Sequence, residues 1–347
     1  MATSIYPWQA AAWQQLQLLR ERMPHAILFH GTAGSGKSDF IECFAQSLLC
    51  ENVQADGHAC GACVSCGWFS QHNHPDYRRV RPEALEDEPP EGEEGADADT
   101  GGTGKKSKST KAPSREIKIE QIRNLADFMN ISTHRQGLRV VVLYPAEALN
   151  VHASNALLKT LEEPPPGTVF LVATNGIDRL LPTILSRCRK FALPMPDHGA
   201  ALLWLKEQGL ADADSWLREQ GGAPLAALAQ AETGNRDDME AFLQVLARPN
   251  VDNALKAAEK LMKAPLASLV SWQQRWLYDV LSYKLSGKIR YYPRYQSELA
   301  ALSAKVHTAK LMRAIKSAND RRAIADHPLS PKLFVEELLL DYIACCT

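Results

Sequence analysis

Residues Gly31-Thr32-Ala33-Gly34-Ser35-Gly36-Lys37-Ser38 satisfy the G-x-x-x-x-G-K-[ST] pattern in full, directly after the apolar run Ala26-Ile27-Leu28-Phe29. Such a loop works only between a buried strand and the first turn of a helix, so it dictates a strand, loop and helix at this point. Its glycines let backbone N–H groups turn toward a polyphosphate, Lys37 would neutralise the terminal charge, and Ser38 would ligate Mg²⁺. In a hydrolytic site a second strand ends in acids that hold the metal and orient water. The later run Val140-Val141-Val142-Leu143 ends instead in Tyr144-Pro145. The loop could hold ATP; the strand lacks the means to cleave it.

Two further apolar segments, 140–143 and Val169-Phe170-Leu171-Val172-Ala173, show no period-two alternation. Runs of that kind suit strands covered on both faces, as in a parallel sheet flanked by helices. With a strand at 26–30, a helix from Lys37 to about Leu49 and an early helix from Gln9 to about Arg20, they predict a three-layer α/β domain. In the early helix Trp8, Ala12, Leu16 and Leu19 share one side.

At 347 residues the chain is too long for one ordinary core, so two or three domains are expected. After Pro194-Met195-Pro196 the pattern becomes helical. Leu202, Leu203 and Leu205 come first, then Leu225 to Ala229, then longer amphipathic stretches. Trp272, Trp276 and Val280 share one stripe with Leu277, Leu281 and Leu285 beside it; Phe334, Val335, Leu338, Leu339, Tyr342 and Ile343 form another. Between Glu83 and Asp99 there are nine acids and no base, followed by glycines and by Lys105, Lys106, Lys108 and Lys111. So few apolar residues cannot offset the entropy of ordering, and about 82–115 is expected to be a disordered surface insertion.

The net charge of −1 argues against a protein that grips DNA alone through phosphate contacts. The local basic groups, Arg78-Arg79 with Arg81, the lysines of 105–111 and Arg321-Arg322, are expected to be solvated surface. There is neither an apolar run long enough for a membrane span nor a signal-peptide pattern at Met1-Ala2-Thr3-Ser4-Ile5-Tyr6, so a cytoplasmic location is expected.

Four of the eight cysteines lie close together: Cys50, Cys60, Cys63 and Cys66. Two consecutive C-x-x-C steps, with a fourth thiol at the end of the preceding helix, suit tetrahedral Zn²⁺. An iron–sulfur cluster is the competing reading, and His58, His72 or His74 could replace Cys50 as fourth ligand. Four protein ligands leave no open position for a substrate, so the expected site is structural. Cys43, Cys345 and Cys346 are expected to be packing residues.

Two later segments carry a resemblance. One is Asn155-Ala156-Leu157-Leu158-Lys159-Thr160-Leu161-Glu162-Glu163-Pro164-Pro165, and the other is Ser186-Arg187-Cys188 after Ala173-Thr174-Asn175. Together with the loop and the inserted cysteines they resemble the clamp-loader branch of the AAA+ family over about residues 1–195, the helical remainder being similar in general layout. The resemblance implies a RecA-like P-loop domain at 1–194 carrying a zinc module (50–66), a helical lid at 195–234 and an all-α oligomerisation bundle at 235–347. Arg187 would be an arginine finger acting in trans on a neighbour's ATP, and Thr174 would stand at the sensor 1 position, within reach of a γ-phosphate.

Motor subunits of that family, gamma/tau, carry Asp-Glu where this chain has Tyr144-Pro145. They also carry a lid arginine where Gly222-Ala223-Pro224-Leu225-Ala226-Ala227-Leu228 has a leucine. With the finger kept and two hydrolytic parts absent, the pattern resembles the delta-prime class of the family. That resemblance implies a subunit of a DNA polymerase holoenzyme, not catalytic by itself, that binds ATP and Mg²⁺ without turnover. Its partners would be gamma/tau and delta subunits in a hetero-oligomer, with the sliding clamp and primed DNA reached through the complex. Glu147, three residues beyond Tyr144, falls past the strand end and is not expected to replace the missing acids. Two other classes stay open: an active AAA+ ATPase, whose turnover Lys37→Ala would abolish, and a zinc-dependent DNA-binding module.

Overall fold

The computed structural model describes residues 5–86, 113–130, 133, 137–325 and 330–346. The chain divides into two compact units, Met1–Met195 and Pro196–Thr347.

The first unit is built on a five-stranded parallel sheet in the order β2-β3-β4-β1-β5. Its strands are β1 (Ala26–His30), β2 (Tyr77–Val80), β3 (Arg139–Leu143), β4 (Thr168–Thr174) and β5 (Arg189–Ala192). Helices α1 (Ala10–Leu18), α2 (Lys37–Leu49) and α3 (Val64–Ser70) precede β2; α4 (Ile119–Asn130), α5 (Val151–Glu162) and α6 (Pro182–Arg187) follow it. Side chains alternate between two buried layers, as strand geometry requires. Ile27, Phe29, Val140, Val142, Leu171 and Phe191 pack with α1 and α2 on one face. Ala26, Leu28, Val141, Leu143, Phe170 and Val172 pack with α4, α5 and α6 on the other. The predicted three-layer α/β architecture is therefore present.

The two strands that the sequence pattern did not announce are the edges, β2 (Tyr-Arg-Arg-Val) and β5 (Arg-Lys-Phe-Ala). Edge strands are half exposed and tolerate charge, so they lack the apolar run that marks the central three. The early helix is also shorter than expected. Pro7–Gln9 and Leu19–Arg22 are 3₁₀ turns flanking α1, and Trp13, outside the expected stripe, is 3% exposed.

Several arginines expected on a solvated surface are engaged. The Arg78 guanidinium lies 4.5 Å from the centroid of Phe128. Arg81 is 7% exposed and pairs with Glu86 at 3.3 Å. Arg321 is 8% exposed between Glu337 and Asp341, and Arg322 donates to Ala267 O and Ser271 Oγ. A guanidinium is weakly hydrated and has five donors, so it is the cation most readily drawn into such positions. The lysines of 105–111, like the rest of 87–112, lie outside the described residues. The described ends of that insertion meet: Ala84 N donates to Ser114 O at 3.0 Å, and Lys118 pairs with Glu83 at 2.7 Å.

Among the described residues, every regular element of the second unit is a helix. Helices α7 (His198–Glu207), α8 (Ala213–Glu219) and α9 (Pro224–Glu232) share a small core of Ala201, Leu205, Ala213, Trp216, Leu217 and Ala227. Asp197 caps α7 by accepting from Gly199 N and Ala200 N. A separate, larger core joins α10 (Arg236–Ala247), α11 (Val251–Leu261), α12 (Leu266–Ser286), α13 (Gln296–Lys305), α14 (Thr308–Ile324) and α15 (Pro331–Cys346). Both predicted stripes face it, except Leu285, which is 72% exposed at the last turn of α12 before Gly287 ends the helix. Trp276 Nε1 donates to Tyr342 Oη, which donates to Leu246 O, so the polar atoms buried with these rings are satisfied. No helix among the described residues is long and apolar enough to cross a membrane.

Candidate functional site

His30 ends β1, and Gly31 to Gly36 connect it to α2, which opens with Lys37 and Ser38. Gly34 and Gly36 have φ of 75° and 84°, the left-handed region in which an L side chain is strained. A Cβ on Gly31 would meet Leu193 O at 2.3 Å, and one on Gly36 would meet the Tyr6 ring at 2.5 Å. Close packing therefore requires glycine at Gly31, and close packing and turn geometry together require it at Gly36. Ser35 Oγ and Lys37 Nζ both donate to Thr32 O, at 2.9 and 2.6 Å. Lys37 is 6% exposed, and burial pulls its ammonium down to about 8, opposed by attraction to Glu147. A buried cation at the start of α2, behind a glycine loop, is a fitting recipient for phosphate oxygens.

Three residues before α1 brace the loop from outside, and nothing in their spacing announces it. Trp8 Nε1 and Gln9 Nε2 both donate to Ser35 O at 3.0 Å, and Gln9 Nε2 also reaches Gly36 O at 2.9 Å. Tyr6 stacks on Trp8 with centroids 4.9 Å apart and donates to Asp39 Oδ2 at 2.7 Å.

Beyond β3, Tyr144 and Pro145 are joined by a cis peptide bond and occupy the place where acids would stand in a hydrolytic site. Burial raises the Tyr144 phenol, with Glu42 adding to the effect and Arg79 and Arg81 opposing it. The hydroxyl thus lies among one acid and two arginines and, held neutral by burial, offers no anionic oxygen to Mg²⁺. The short turn Ala146–Ala148 follows. Glu147 does lie past the strand end, but its side chain reaches back over β4. Thr174 Oγ1 donates to Glu147 Oε2 at 2.8 Å, and Asn175 N donates to Oε1 and Oε2 at 3.1 and 3.2 Å. The sequence argument missed this because it followed distance along the chain, whereas the turn folds the carboxylate back.

Arg187 ends α6. Its guanidinium donates to Glu162 at the end of α5, to Thr183 O at 2.9 Å and to Ser186 Oγ at 3.3 Å. It is 31% accessible on its side chain and is paired rather than projecting freely.

Cys50, at the C-terminal end of α2, meets Cys60, Cys63 and Cys66 so that all four sulfurs lie within 4.8 Å of one another. The Cys50–Cys63 and Cys60–Cys66 separations are both 4.0 Å. Tetrahedral Zn–S bonds of ~2.3 Å place sulfurs about 3.8 Å apart, so the set fits such an ion. Cys63 caps α3, its sulfur accepting from Cys66 N, while Cys60 Sγ accepts from Ala62 N and Cys63 N. Those N–H groups pull the Cys60 thiol down to about 6, which favours the thiolate a metal needs. The four cysteines could hold a metal ion. His74 is bonded through both ring nitrogens, to Ser65 Oγ and from Asp76 N, and His58 stacks on Trp13.

A family model described as DNA polymerase III, delta subunit, matches residues 8–197. The DNA polymerase III subunit delta' of Pseudomonas aeruginosa is 36% identical over 291 residues, 81% of this chain and 79% of that one. The protein of the same description from Escherichia coli is 32% identical over 80% of this chain and 76% of its own length. DNA polymerase III subunit tau of Bacillus subtilis is 25% identical over 76% of this chain and 39% of its own.

Proposed function

The chain belongs to the DNA polymerase III delta-prime family, and from that premise we propose that it is a non-hydrolysing assembly subunit of a clamp loader. The observation that carries this reading is the end of β3, where Tyr144-Pro145 stands in place of metal-holding acids. Gly31, Thr32, Ala33, Gly34, Ser35, Gly36, Lys37 and Ser38 would hold ATP, with Mg²⁺ depending on Ser38 and the nucleotide's own oxygens. Arg187 would leave Glu162 on assembly and enter the ATP site of a neighbouring gamma/tau subunit. There its planar guanidinium stabilises charge spreading over the γ-phosphate.

Zn²⁺ would bind at Cys50, Cys60, Cys63 and Cys66, tying α2 to α3 and leaving no open ligand position. Residues 1–194 act as the P-loop domain, 195–234 as a lid and 235–347 as the oligomerisation bundle. The separate cores of 201–227 and 239–345 support that last division. Gamma/tau and delta subunits are the direct partners, the clamp and primed DNA are met through the complex, and the location is cytoplasmic.

The test is reconstitution with motor and clamp-opening subunits. Arg187→Ala should assemble normally and depress ATP turnover; undiminished turnover refutes the finger. A second reading, an active ATPase, draws on Glu147, which accepts from Thr174 and attracts the Lys37 ammonium. Turnover by the purified chain, lost on Lys37→Ala, would establish it.

A further inference from the structure

We propose that Glu147 makes the loop pocket select a nucleoside diphosphate over a triphosphate, an inference that rests on Gly31–Ser38 being a nucleotide site. The register of the sheet supplies the placement. Thr174 is the partner of His30 across β4 and β1, and the loop begins at the next residue, Gly31. Glu147, bonded to Thr174 and to Asn175 N, therefore covers the end of the strand beside the loop.

A P-loop lysine reaches the β- and γ-phosphates. The Glu147 carboxylate, fixed at the end of β4 by these bonds, also attracts the Lys37 ammonium, so a terminal phosphate approaching Lys37 enters the field of a like charge. The donors at the end of β4 are also taken. The Thr174 hydroxyl lies on Glu147 and Gly176 O and accepts from Gly176 N at 3.1 Å, and the Asn175 N–H points at the same carboxylate. A third phosphate would have to displace Glu147 to gain these donors and would bring like charge against it. The first two phosphates lie over the glycine loop and need none of them. The opposite role, Glu147 as a metal ligand standing in for the absent acids, predicts the reverse effect of neutralising it.

The experiment is calorimetric titration of the full chain with ADP and with the β,γ-imido analogue of ATP, Mg²⁺ present, on wild type, Glu147→Gln and Glu147→Ala. Wild type should bind ADP about tenfold more tightly than the triphosphate. Either variant should bring the two within about threefold by strengthening the triphosphate, with ADP nearly unmoved. Two variants guard against one that folds poorly, and a thermal melt identifies it. Equal wild-type affinities, or a triphosphate weakened further by Glu147→Gln, overturn the proposal while leaving the nucleotide site standing. Binding of neither ligand by any of the three proteins overturns both.

Discussion

Arg187 and Glu162 form an ion pair that joins the last residue of α6 to the last residue of α5. Both sit at helix C-termini, where the arginine is favoured by the helix dipole and the glutamate is not. Glu162 is the first acid of the Glu-Glu-Pro-Pro run, so the two segments that carried the family resemblance touch in space.

Breaking that pair should cost little stability. Half-exposed ion pairs contribute about 0–1 kcal/mol, so Arg187→Ala and Glu162→Ala should each move the thermal midpoint by no more than about 4 °C. Their effects on the reconstituted loader should differ. Arg187→Ala should slow hydrolysis at the site it serves by about 10³-fold or more, whereas Glu162→Ala leaves the guanidinium available and should not. Equal loss in both variants would mean that the pair is needed as a structural unit.

The Lys37 ammonium, held at about 8 by burial, gives nucleotide binding a signed pH dependence. A phosphate is attracted by the protonated form, so affinity should fall as pH rises through about 8, and Lys37→Ala should bind weakly with no such inflection. Stability of the empty protein runs the other way. An unfolded lysine titrates near ~10.4, so between about 8 and that value the unfolded chain binds more protons and stability rises with pH. Below about 8 the burial penalty is present in full. Titrations with ADP between pH 7 and 9, and melts from pH 7 to 10, check both signs.

Metal analysis of protein purified without chelator should find about one zinc per chain, and Cys63→Ser should lower that content. Chelation should also lower the melting temperature, because the ion ties the end of α2 to the cap of α3. Metal affinity should drop on acidification as the thiolates protonate. An unchanged melt after complete zinc removal would deny the ion its structural role.

Replacing 87–112 with a short Gly-Ser linker should shift the midpoint by only a few degrees. The backbone bond from Ala84 to Ser114 already brings the flanks together, and loop-closure entropy changes slowly with length. A fall of many degrees would show that the insertion packs on the domain.

The central strands, α2 and its glycine loop, and the helical second unit were legible because each carries a local signature. β1, β3 and β4 are uninterrupted apolar runs, Gly36 precedes Lys37, and Trp272 and Trp276 repeat at helical spacing. The edge strands were not legible, since Arg78-Arg79 read as solvated surface and Arg189-Lys190 belongs to no apolar run, until a neighbouring strand supplies their hydrogen bonds. Tyr6, Trp8 and Gln9 likewise gave no hint that they brace the loop, for the Asp39 carboxylate and the Ser35 and Gly36 carbonyls they bind are 26 or more residues away.

The order of residues alone determined which chemical groups exist: a lysine after glycines, four thiols at binding spacing, an arginine between Ser186 and Cys188, and no acid at 144 or 145. Tertiary structure decided where three charges act. It drew Arg187 onto Glu162, buried Lys37 and returned Glu147 to the end of β4. The physical reason is that electrostatic effects depend on distance and solvent exposure through space, neither of which is encoded by separation along the chain.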